Sequence, residues 1–166
     1  MINIFTDGSS RGNPGPGGYG AVLKSGNHYK EISGGYRLTT NNRMELMAVI
    51  RALEALKKEN SNVTVYSDSL YVCNALNKGW LLNWEQRGFK KVMNPDLWTK
   101  FLVLYRRHRV KFEWIKGHSG HIENERCDRL AFEASQNETL EEDLWYVNSL
   151  QENNPDSSST VQTLPL

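Results

Sequence analysis

Residues 2–24, INIFTDGSSRGNPGPGGYGAVLK, contain the features that decide the class of fold. The first six, INIFTD, alternate in polarity as a strand does and end on Asp7. The segment at 15–20, GPGGYG, matches the G-x-G-x-x-G fingerprint of dinucleotide sites. However, the short β-prone run at 19–24 opens no helix, so no helix N-terminus is available to hold a pyrophosphate. We therefore interpret the glycine-rich segment as a tight turn between two strands.

The remaining segments predict alternating strands and helices. Strands at 19–24 and 28–38 complete a meander with the first strand. Apolar residues at i, i+3, i+4 and i+7 spacing predict a helix in NNRMELMAVIRALEALKKEN, with Asn42 as its N-cap. The later segments are a strand at 63–68, a helix at 69–79 stopped by Gly79, a helix at 94–108, a strand at 110–117 and a helix at 124–136.

The order β-β-β-α-β-α-α-β-α contains βαβ units, which favour parallel pairing. The fold class is therefore α/β, with a five-stranded mixed sheet flanked by helices. Strands 1, 4 and 5 are predicted to be parallel, and strands 2 and 3 antiparallel at one edge. Asp7 and Asp68 each end a parallel strand. Because active sites of open α/β sheets lie at the carboxyl ends of such strands, both are candidate site residues.

Composition narrows the class of protein. The 166 residues suffice for one domain and contain no run of 18 apolar residues, and the N-terminus shows no signal-peptide pattern. Cys73 and Cys127 lack metal-ligand spacing and indicate buried thiols in a reducing compartment, so we expect a cytoplasmic protein without membrane partners. All 20 Lys and Arg lie in residues 1–137 with 13 of the 19 acids, a net charge of +7. That charge fits a polyanionic partner and ordinary surface charge equally well.

Two helical acids lack the cations that surface acids commonly have nearby. Glu45 and Asp128 have no Lys or Arg at i±3 or i±4, whereas Glu54 is followed by Lys57 and Lys58. Together with the strand-end aspartates they suggest a divalent-cation site, for which oxygen ligands favour Mg²⁺ or Mn²⁺. The alternatives are that Glu45 closes a capping box, that Asp68 caps a helix and that Asp128 is a solvated residue.

A histidine loop follows the fifth strand. His118, in KGHSGH, is placed at the same end of the sheet as the acids, where a group with a pKa near neutral can carry protons. His121 is the competing candidate, with the alternative that it orients the turn before the last helix.

Four segments together resemble one known family. These are IFTDGSSRGNPGPGGYGAVL, TTNNRMELMAVIRALEAL, SDSLYV and KGHSGHIENERCDRLA, within residues 2–135, and they resemble type 1 ribonuclease H of the bacterial sort. The resemblance implies a ribonuclease H-like fold and cleavage of the RNA strand of RNA–DNA hybrids with little sequence specificity. It implies two Mg²⁺ ions per active site during catalysis, with Mn²⁺ as a substitute, and products with 3′-hydroxyl and 5′-phosphate ends.

The resemblance also assigns roles to individual residues. It implies that the metal-binding, catalytic carboxylates are Asp7, Glu45, Asp68 and Asp128, that His118 moves protons or assists product release, and that Glu125 lies near the second metal. It implies groove contacts at Ser10, Asn13, Asn41 and Asn42, a DNA-phosphate pocket at Thr40 and Asn83, and an aromatic platform for DNA at Trp80. The alternatives are helix capping for Asn41 and Asn42 and core packing for Trp80.

Two departures from the family pattern concern hybrid affinity. Leu70 stands where relatives often carry a glutamine. The segment LLNWEQRGFKKVMNPD resembles the family's basic substrate handle but is short and contains Glu85. Since phosphate contacts dominate nucleic-acid affinity, we expect weaker hybrid binding and a shallower salt dependence than in longer-handled relatives.

The chain divides by composition into two parts. Residues 1–137 are predicted to form the catalytic domain, and residues 138–166 an acidic, partly low-complexity extension with six acids and no base. In the extension, Thr139–Glu142 could cap a short helix, and the segment around Trp145 could dock on the body or on a protein partner. We expect a monomer. The alternative function is a catalytically inactive hybrid-binding module, which the presence of all four acids disfavours.

Overall fold

The computed structural model describes residues 1–153, which form one five-stranded sheet with six helices. The strands are β1 (Ile2–Ser10), β2 (Gly15–Ser25), β3 (His28–Thr39), β4 (Asn62–Ser67) and β5 (Arg109–Trp114). The helices are α1 (Asn41–Glu54), α2 (Leu70–Asn77), α3 (Trp80–Gln86), α4 (Pro95–Tyr105), α5 (Ile122–Ser135) and α6 (Leu144–Glu152).

The sheet has the predicted topology. Its strand order is β3-β2-β1-β4-β5, with β1, β4 and β5 parallel and with β2 and β3 antiparallel at one edge. In the parallel register Thr6 pairs with Ser67, so the next residues, Asp7 and Asp68, follow side by side on neighbouring strands. The prediction that Asp68 ends a strand is confirmed, since β4 ends at Ser67. Asp7 does not end β1, which continues to Ser10 by pairing with β2, but it does follow the last residue paired with β4.

The interpretation of the glycine-rich segment as a turn is wrong, because Gly15–Gly20 belongs to β2 and the connection to β1 is confined to residues 11–14. Its glycines serve close packing instead. A Cβ atom on Gly18 would lie 2.1 Å from the Ala131 carbonyl oxygen, and one on Gly20 2.5 Å from the Cys127 carbonyl oxygen. Glycine at these two positions therefore lets the backbone of α5 lie directly on the sheet.

The helix starts differ from those predicted. The N-cap of α1 is Thr40, whose hydroxyl accepts from the Arg43 amide at 3.2 Å, and not Asn42. Glu45 therefore does not close a capping box. Likewise Ser69, and not Asp68, caps α2. The hydroxyl of Thr40, two residues before Asn42, and that of Ser69, one residue after Asp68, each accept from a free backbone amide. Both Glu45 and Asp68 are therefore available for other contacts.

Two apolar cores hold the layers together. The larger packs α1, α2 and α4 against one face of the sheet, and the smaller packs Cys127 and Leu130 of α5 against Phe5 and Val22 on the other. Both cysteines are free and buried, as predicted, and burial raises the pKa of the Cys73 thiol to about 11. Within residues 1–153 no helix is long and apolar enough to span a membrane.

The start of the acidic extension packs against the body of the protein. Residues 139–142 do not begin a helix: the Glu141 carbonyl accepts from the Arg37 amide at 2.9 Å, and α6 starts at Leu144. Asp143, only 5% exposed, binds the buried Arg43 and accepts from the Thr39 hydroxyl at 2.8 Å. The segment around Trp145 therefore docks on its own chain, while the predicted low-complexity stretch at 154–166 lies outside the described residues.

Candidate active site

Two aspartates, Asp7 and Asp68, form the centre of the site, where the parallel pairing of β1 and β4 ends. Asp7 is 6% exposed, and its Oδ1 accepts from the Gly8 amide at 2.9 Å. Asp68 is half-buried, and its carbonyl accepts from Trp114 Nε1 at 3.0 Å, which ties its backbone to the end of β5.

Helix α1 adds a third carboxylate because Gly8 has no side chain. A Cβ atom on Gly8 would lie 2.2 Å from the Met44 carbonyl carbon, so only glycine lets the start of α1 rest on β1. This contact places Glu45 beside the aspartates. The ligand oxygens of Asp7, Glu45 and Asp68 all lie within 4.8 Å of one another, and the structure therefore brings together three of the four predicted acids.

Asp128 and His118 lie around this cluster. Asp128 is not part of the three-carboxylate set, but its charge contributes to the raised pKa values of Asp7 and Asp68. His118 is exposed on the loop after β5, where its backbone has a left-handed φ of 54°. Such strained conformations occur at functional sites. His118 is near enough to Asp68 to act on it electrostatically.

His121 has a structural role. Its Nδ1 accepts from the Asn124 amide at 3.4 Å and caps α5. The structure therefore supports the view that His121 orients the start of the last helix, and leaves His118 as the histidine that is free at the site.

Crowding raises the pKa values of the three carboxylic acids. Burial, followed by the charge of Asp68, raises the pKa of Asp7 to about 7. Burial and the charges of both aspartates raise the pKa of Glu45 well above its usual range. Burial raises the pKa of Asp68, although the Asn124 side chain and His118 partly offset it. Groups that resist ionisation together need a cation to ionise.

The donor set fits a hard divalent cation. Three carboxylates converge, and Glu45 Oε2 is buried without a hydrogen-bond partner, although buried carboxylate oxygens are normally paired. A cation would satisfy that oxygen and neutralise the repulsion. Oxygen ligands alone suit Mg²⁺ or Mn²⁺ better than zinc, which prefers nitrogen and sulfur.

The raised pKa values predict that the metal-free protein loses stability as the pH rises. The ordinary pKa of Asp7 is 3.8 and its folded value is about 7. The folded state therefore holds a proton that the unfolded chain has released, so the stabilisation is present below about pH 4 and is lost as the pH rises through about 7. Urea unfolding with chelator should give a lower free energy of unfolding at pH 8 than at pH 5, and Mg²⁺ should reverse the loss.

The Asp7→Asn variant is the control for this pH dependence, because it removes the Asp7 titration and leaves the four histidines in place. Its metal-free stability should change less between pH 5 and pH 8. Equal pH dependence in the two proteins would contradict the assignment of the shift to Asp7.

A polar network lies between the end of β1 and the start of α1. Asn41 Oδ1 accepts from the Ser10 amide at 2.7 Å and from the Ser10 hydroxyl at 3.1 Å. Asn13 Oδ1 accepts from the Asn41 amide at 3.1 Å. The structure thus joins Ser10, Asn13 and Asn41 in one exposed group, and Asn42 follows, exposed, on α1. Within residues 1–153 the side chains of Asn41 and Asn42 make no capping bond to α1, whereas Asn13 accepts from the first backbone amide of the helix.

The other predicted substrate residues lie on α1 and α3. Trp80 is 42% exposed, so core packing does not account for it, and Asn83 is one turn along the same helix. The Lys78 ammonium group lies 5.3 Å from the centre of the Trp80 ring. Thr40 uses its hydroxyl to cap α1, and within residues 1–153 no hydrogen bond joins Thr40 to Asn83. The protein alone therefore does not show the predicted pocket.

Helix α3 was not predicted from the sequence. It contains the first residues of the segment 81–96, which was interpreted as a substrate handle. Glu85 does not neutralise the basic residues of this segment, because it is paired with Arg106, the C-cap residue of α4. Its Oε2 accepts from Arg106 Nη1 at 2.7 Å. The prediction of weaker hybrid binding therefore rests on handle length and on Leu70, which is 55% exposed at the start of α2.

Asn124 is a further residue near the site that was not predicted from the sequence. This side chain is 3% exposed and lies beside Asp68, and its Nδ2 atom is buried without a hydrogen-bond partner. The available signal was its spacing: Asn124 precedes Asp128 by one turn of α5, so the two residues share a helix face.

The fold and the site define a class of protein. It is an α/β enzyme whose carboxylates converge at the carboxyl ends of parallel strands to form a site suited to a hard divalent cation. Residues 1–136 match the family model described as RNase H. The chain therefore belongs to the ribonuclease H family and is a nuclease of the hydrolase class.

Named relatives and solved structures agree with this assignment. A ribonuclease H of Syntrophus aciditrophicus is 55% identical over 151 residues, covering 88% of this chain and 87% of that protein. The crystal structure of LC9-RNase H1, a type 1 RNase H with the type 2 active-site motif, is 27% identical with a TM-score of 0.74, covering 99% of this chain and 88% of that one. LC11-RNase H1 in complex with an RNA/DNA hybrid is 32% identical with a TM-score of 0.60, covering 81% and 96%.

Proposed function

We propose that this protein is an endoribonuclease that hydrolyses the RNA strand of RNA–DNA hybrids with little sequence specificity. The observation that carries the proposal is the cluster of Asp7, Glu45 and Asp68 with its orphaned Glu45 oxygen. Family membership and the hybrid bound to the related LC11-RNase H1 support the choice of substrate.

The metal site would be formed by the three clustered carboxylates with Asp128 beside them, and we propose that two Mg²⁺ ions occupy it during catalysis, with Mn²⁺ as a substitute. When bound, such ions supply an activated water and stabilise charge at the scissile phosphate. The protein supplies a rigid, half-buried set of acids that strand register and the Gly8 contact hold together. Water attack on phosphorus with departure of the 3′ oxygen leaves 3′-hydroxyl and 5′-phosphate ends.

The polar network next to the cluster suits recognition of the hybrid. Ser10, Asn13, Asn41 and Asn42 present amides and hydroxyls, which can both donate to and accept from a ribose 2′-hydroxyl, the group that distinguishes RNA from DNA. The exposed Trp80 would offer an aromatic platform for the DNA strand, and Thr40 and Asn83 would form the pocket for a DNA phosphate. Contacts to sugar and phosphate fix position without reading bases, hence the weak sequence preference.

Exposed His118 is placed to move protons at the site. It lies near Asp68 on a loop flanked by Gly117 and Gly120, and its imidazole has no structural partner among the described side chains. An imidazole can give and take a proton near neutral pH. We propose that it protonates the leaving oxygen or assists product release.

A cleavage assay tests the proposal. A labelled RNA–DNA hybrid is incubated with Mg²⁺, with Mn²⁺ or with chelator, alongside duplex DNA and duplex RNA. We expect metal-dependent cutting of the hybrid's RNA strand only, with fragments that carry 3′-hydroxyl and 5′-phosphate ends. Binding of the hybrid without cutting in every metal condition would instead identify the inactive hybrid-binding module.

A further inference from the structure

A basic groove lies at the end of the sheet opposite the active site. It has a volume of about 520 Å³ and lies where α4 ends and where β4 and β5 begin. Its lining side chains include Met1, Thr64, Arg106, His108, Arg109 and Lys111. Arg109 begins β5, and Trp114, at the other end of the strand, donates to the Asp68 carbonyl. The basic groove therefore lies about 17 Å along β5 from the level of the carboxylates.

The sheet face beside the basic groove is left open by the fold. Phe112 points into the larger core, so its neighbours Lys111 and Glu113 point to the opposite face of β5. On that face α5 packs on β1, β2 and β3, and the side chains of Arg109, Lys111 and Glu113 on β5 are all exposed. A partner can therefore reach the basic groove without any rearrangement of the fold.

Hydrogen bonds fix the backbone that carries the cations of the groove. The Asn60 amide donates to the Arg107 carbonyl at 2.8 Å, and the Arg109 amide donates to the Ser61 carbonyl at 2.9 Å. His108 Nδ1 accepts from the Ser61 amide at 3.3 Å, so in the neutral ring Nε2 carries the proton and remains a donor. Because this frame is already ordered, binding an anion there costs less conformational entropy.

The groove carries cations that the protein itself does not fully neutralise. Residues 106–111 contain four Lys and Arg and no acid. Arg106 is paired with Glu85, and Lys111 lies 3.7 Å from Glu113 in an exposed contact, which is weak. Within residues 1–153 the Arg109 guanidinium makes no hydrogen bond or ion pair. A forked group that only donates is therefore available to bind an anion through two hydrogen bonds.

We propose that the basic groove is a second nucleic-acid site, which binds the phosphate backbone of a duplex independently of the active site. Arg109 and Lys111 supply the charge, and His108 supplies a further donor. The chain belongs to a nuclease family and residues 1–137 carry a net charge of +7, so a nucleic-acid duplex is the polyanion that matches this surface. Because phosphate contacts read no bases, the site accepts any sequence. It keeps the enzyme on nucleic acid between cleavage events.

The experiment counts the duplexes bound by the full chain. Sedimentation with an excess of a short RNA–DNA hybrid, in chelator and at low salt, should show two hybrids on the wild-type protein and one on Arg109→Glu/Lys111→Glu. Lys30→Glu/Lys100→Glu makes the same change in net charge at exposed residues that do not line the groove, and it should still bind two. All three proteins should cleave with the same kcat, because the groove lies at the opposite end of the sheet from the carboxylates.

A salt titration tests whether the second binding step uses phosphate contacts. Arg109→Gln should reduce the slope of log K against log salt concentration for that step by about 0.9, the value for one lost contact. Equal hybrid counts in the wild-type and charge-reversed proteins, or an unchanged slope in Arg109→Gln, would overturn the proposal. A polyglutamate peptide that binds the groove more tightly than the second hybrid would assign it instead to an acidic protein segment.

The outcome does not depend on the proposed function. If the active site binds no hybrid, the proposed function fails and the expected counts become one hybrid for the wild-type protein and none for Arg109→Glu/Lys111→Glu. The difference between the two proteins still decides whether the basic groove binds nucleic acid.

Discussion

Replacing Asp7 with asparagine is expected to abolish cleavage while leaving hybrid binding nearly intact. The substitution keeps the shape of the side chain and removes one of three converging carboxylates, so the loss falls on cation binding. Turnover with Mg²⁺ should fall by about 1000-fold or more, which corresponds to about 4 kcal/mol of transition-state stabilisation. Hybrid affinity measured in chelator should stay within about threefold, since sugar and phosphate contacts supply it.

The same variant provides its own folding control. Because Asp7 adds charge to a crowded, buried cluster, Asp7→Asn should unfold at a higher urea concentration than the wild-type protein at pH 8 in chelator. Glu54→Gln is a matched acid-to-amide change at an exposed position of α1, where among residues 1–153 Glu54 pairs only with Arg51, and it should keep full activity. Near-normal turnover in Asp7→Asn would refute the assignment of the site.

Replacing Asp143 with alanine is expected to cause a large loss of stability for a single substitution. All five donors of the buried Arg43 guanidinium are used: two go to Asp143 at 2.7 and 2.9 Å, and three to Asp96 and Asn94. Arg43 is 1% exposed, and the Trp145 ring covers it at 5.1 Å. Asp143→Ala leaves part of a buried charge unpaired, which costs about 3 kcal/mol. This corresponds to roughly 9 °C in melting temperature for a chain of this size.

The neighbouring residue supplies the control for this prediction. Glu142 pairs with Arg37 at 3.8 Å, but both side chains are largely exposed, so Glu142→Ala should cost less than about 0.5 kcal/mol. Truncation after residue 137 should destabilise the protein at least as much as Asp143→Ala. Both changes should leave cleavage in place well below the melting temperature, since Asp143 lies outside the carboxylate cluster. Equal melting temperatures for the Asp143 and Glu142 variants would contradict the prediction.

Local pattern was sufficient to predict the sheet and most of the helices. Alternation in INIFTD and VTVYSD identified β1 and β4, and helical spacing identified α1. Helix α3 was missed because its seven residues, WLLNWEQ, are too short for a helical period to show. The glycine-rich start of β2 was interpreted as a turn because the packing partners of Gly18 and Gly20 lie on α5, more than 100 residues away along the chain.

Part of the candidate site was also predictable from local sequence pattern. Asp7 and Asp68 directly follow the last residue pair of the parallel β1–β4 register, so topology alone places them together. That Glu45 joins them depends on the contact of α1 with Gly8, and that Asp128 stays outside the cluster depends on how α5 crosses the sheet. The orphaned Asn124 amide is visible only once burial is known.

By itself, the sequence determined the order of most strands and helices, the end of the sheet at which the acids gather and the ribonuclease H family of the chain. These outcomes depend on short-range periodicity and on motifs within single segments. Only the tertiary structure decided which three acids converge and which residues cap the helices. It also decided that Arg43 is paired with Asp143, 100 residues along the chain. These outcomes depend on close packing and on the pairing of buried charges, and both are set by contacts between segments that are remote in the sequence.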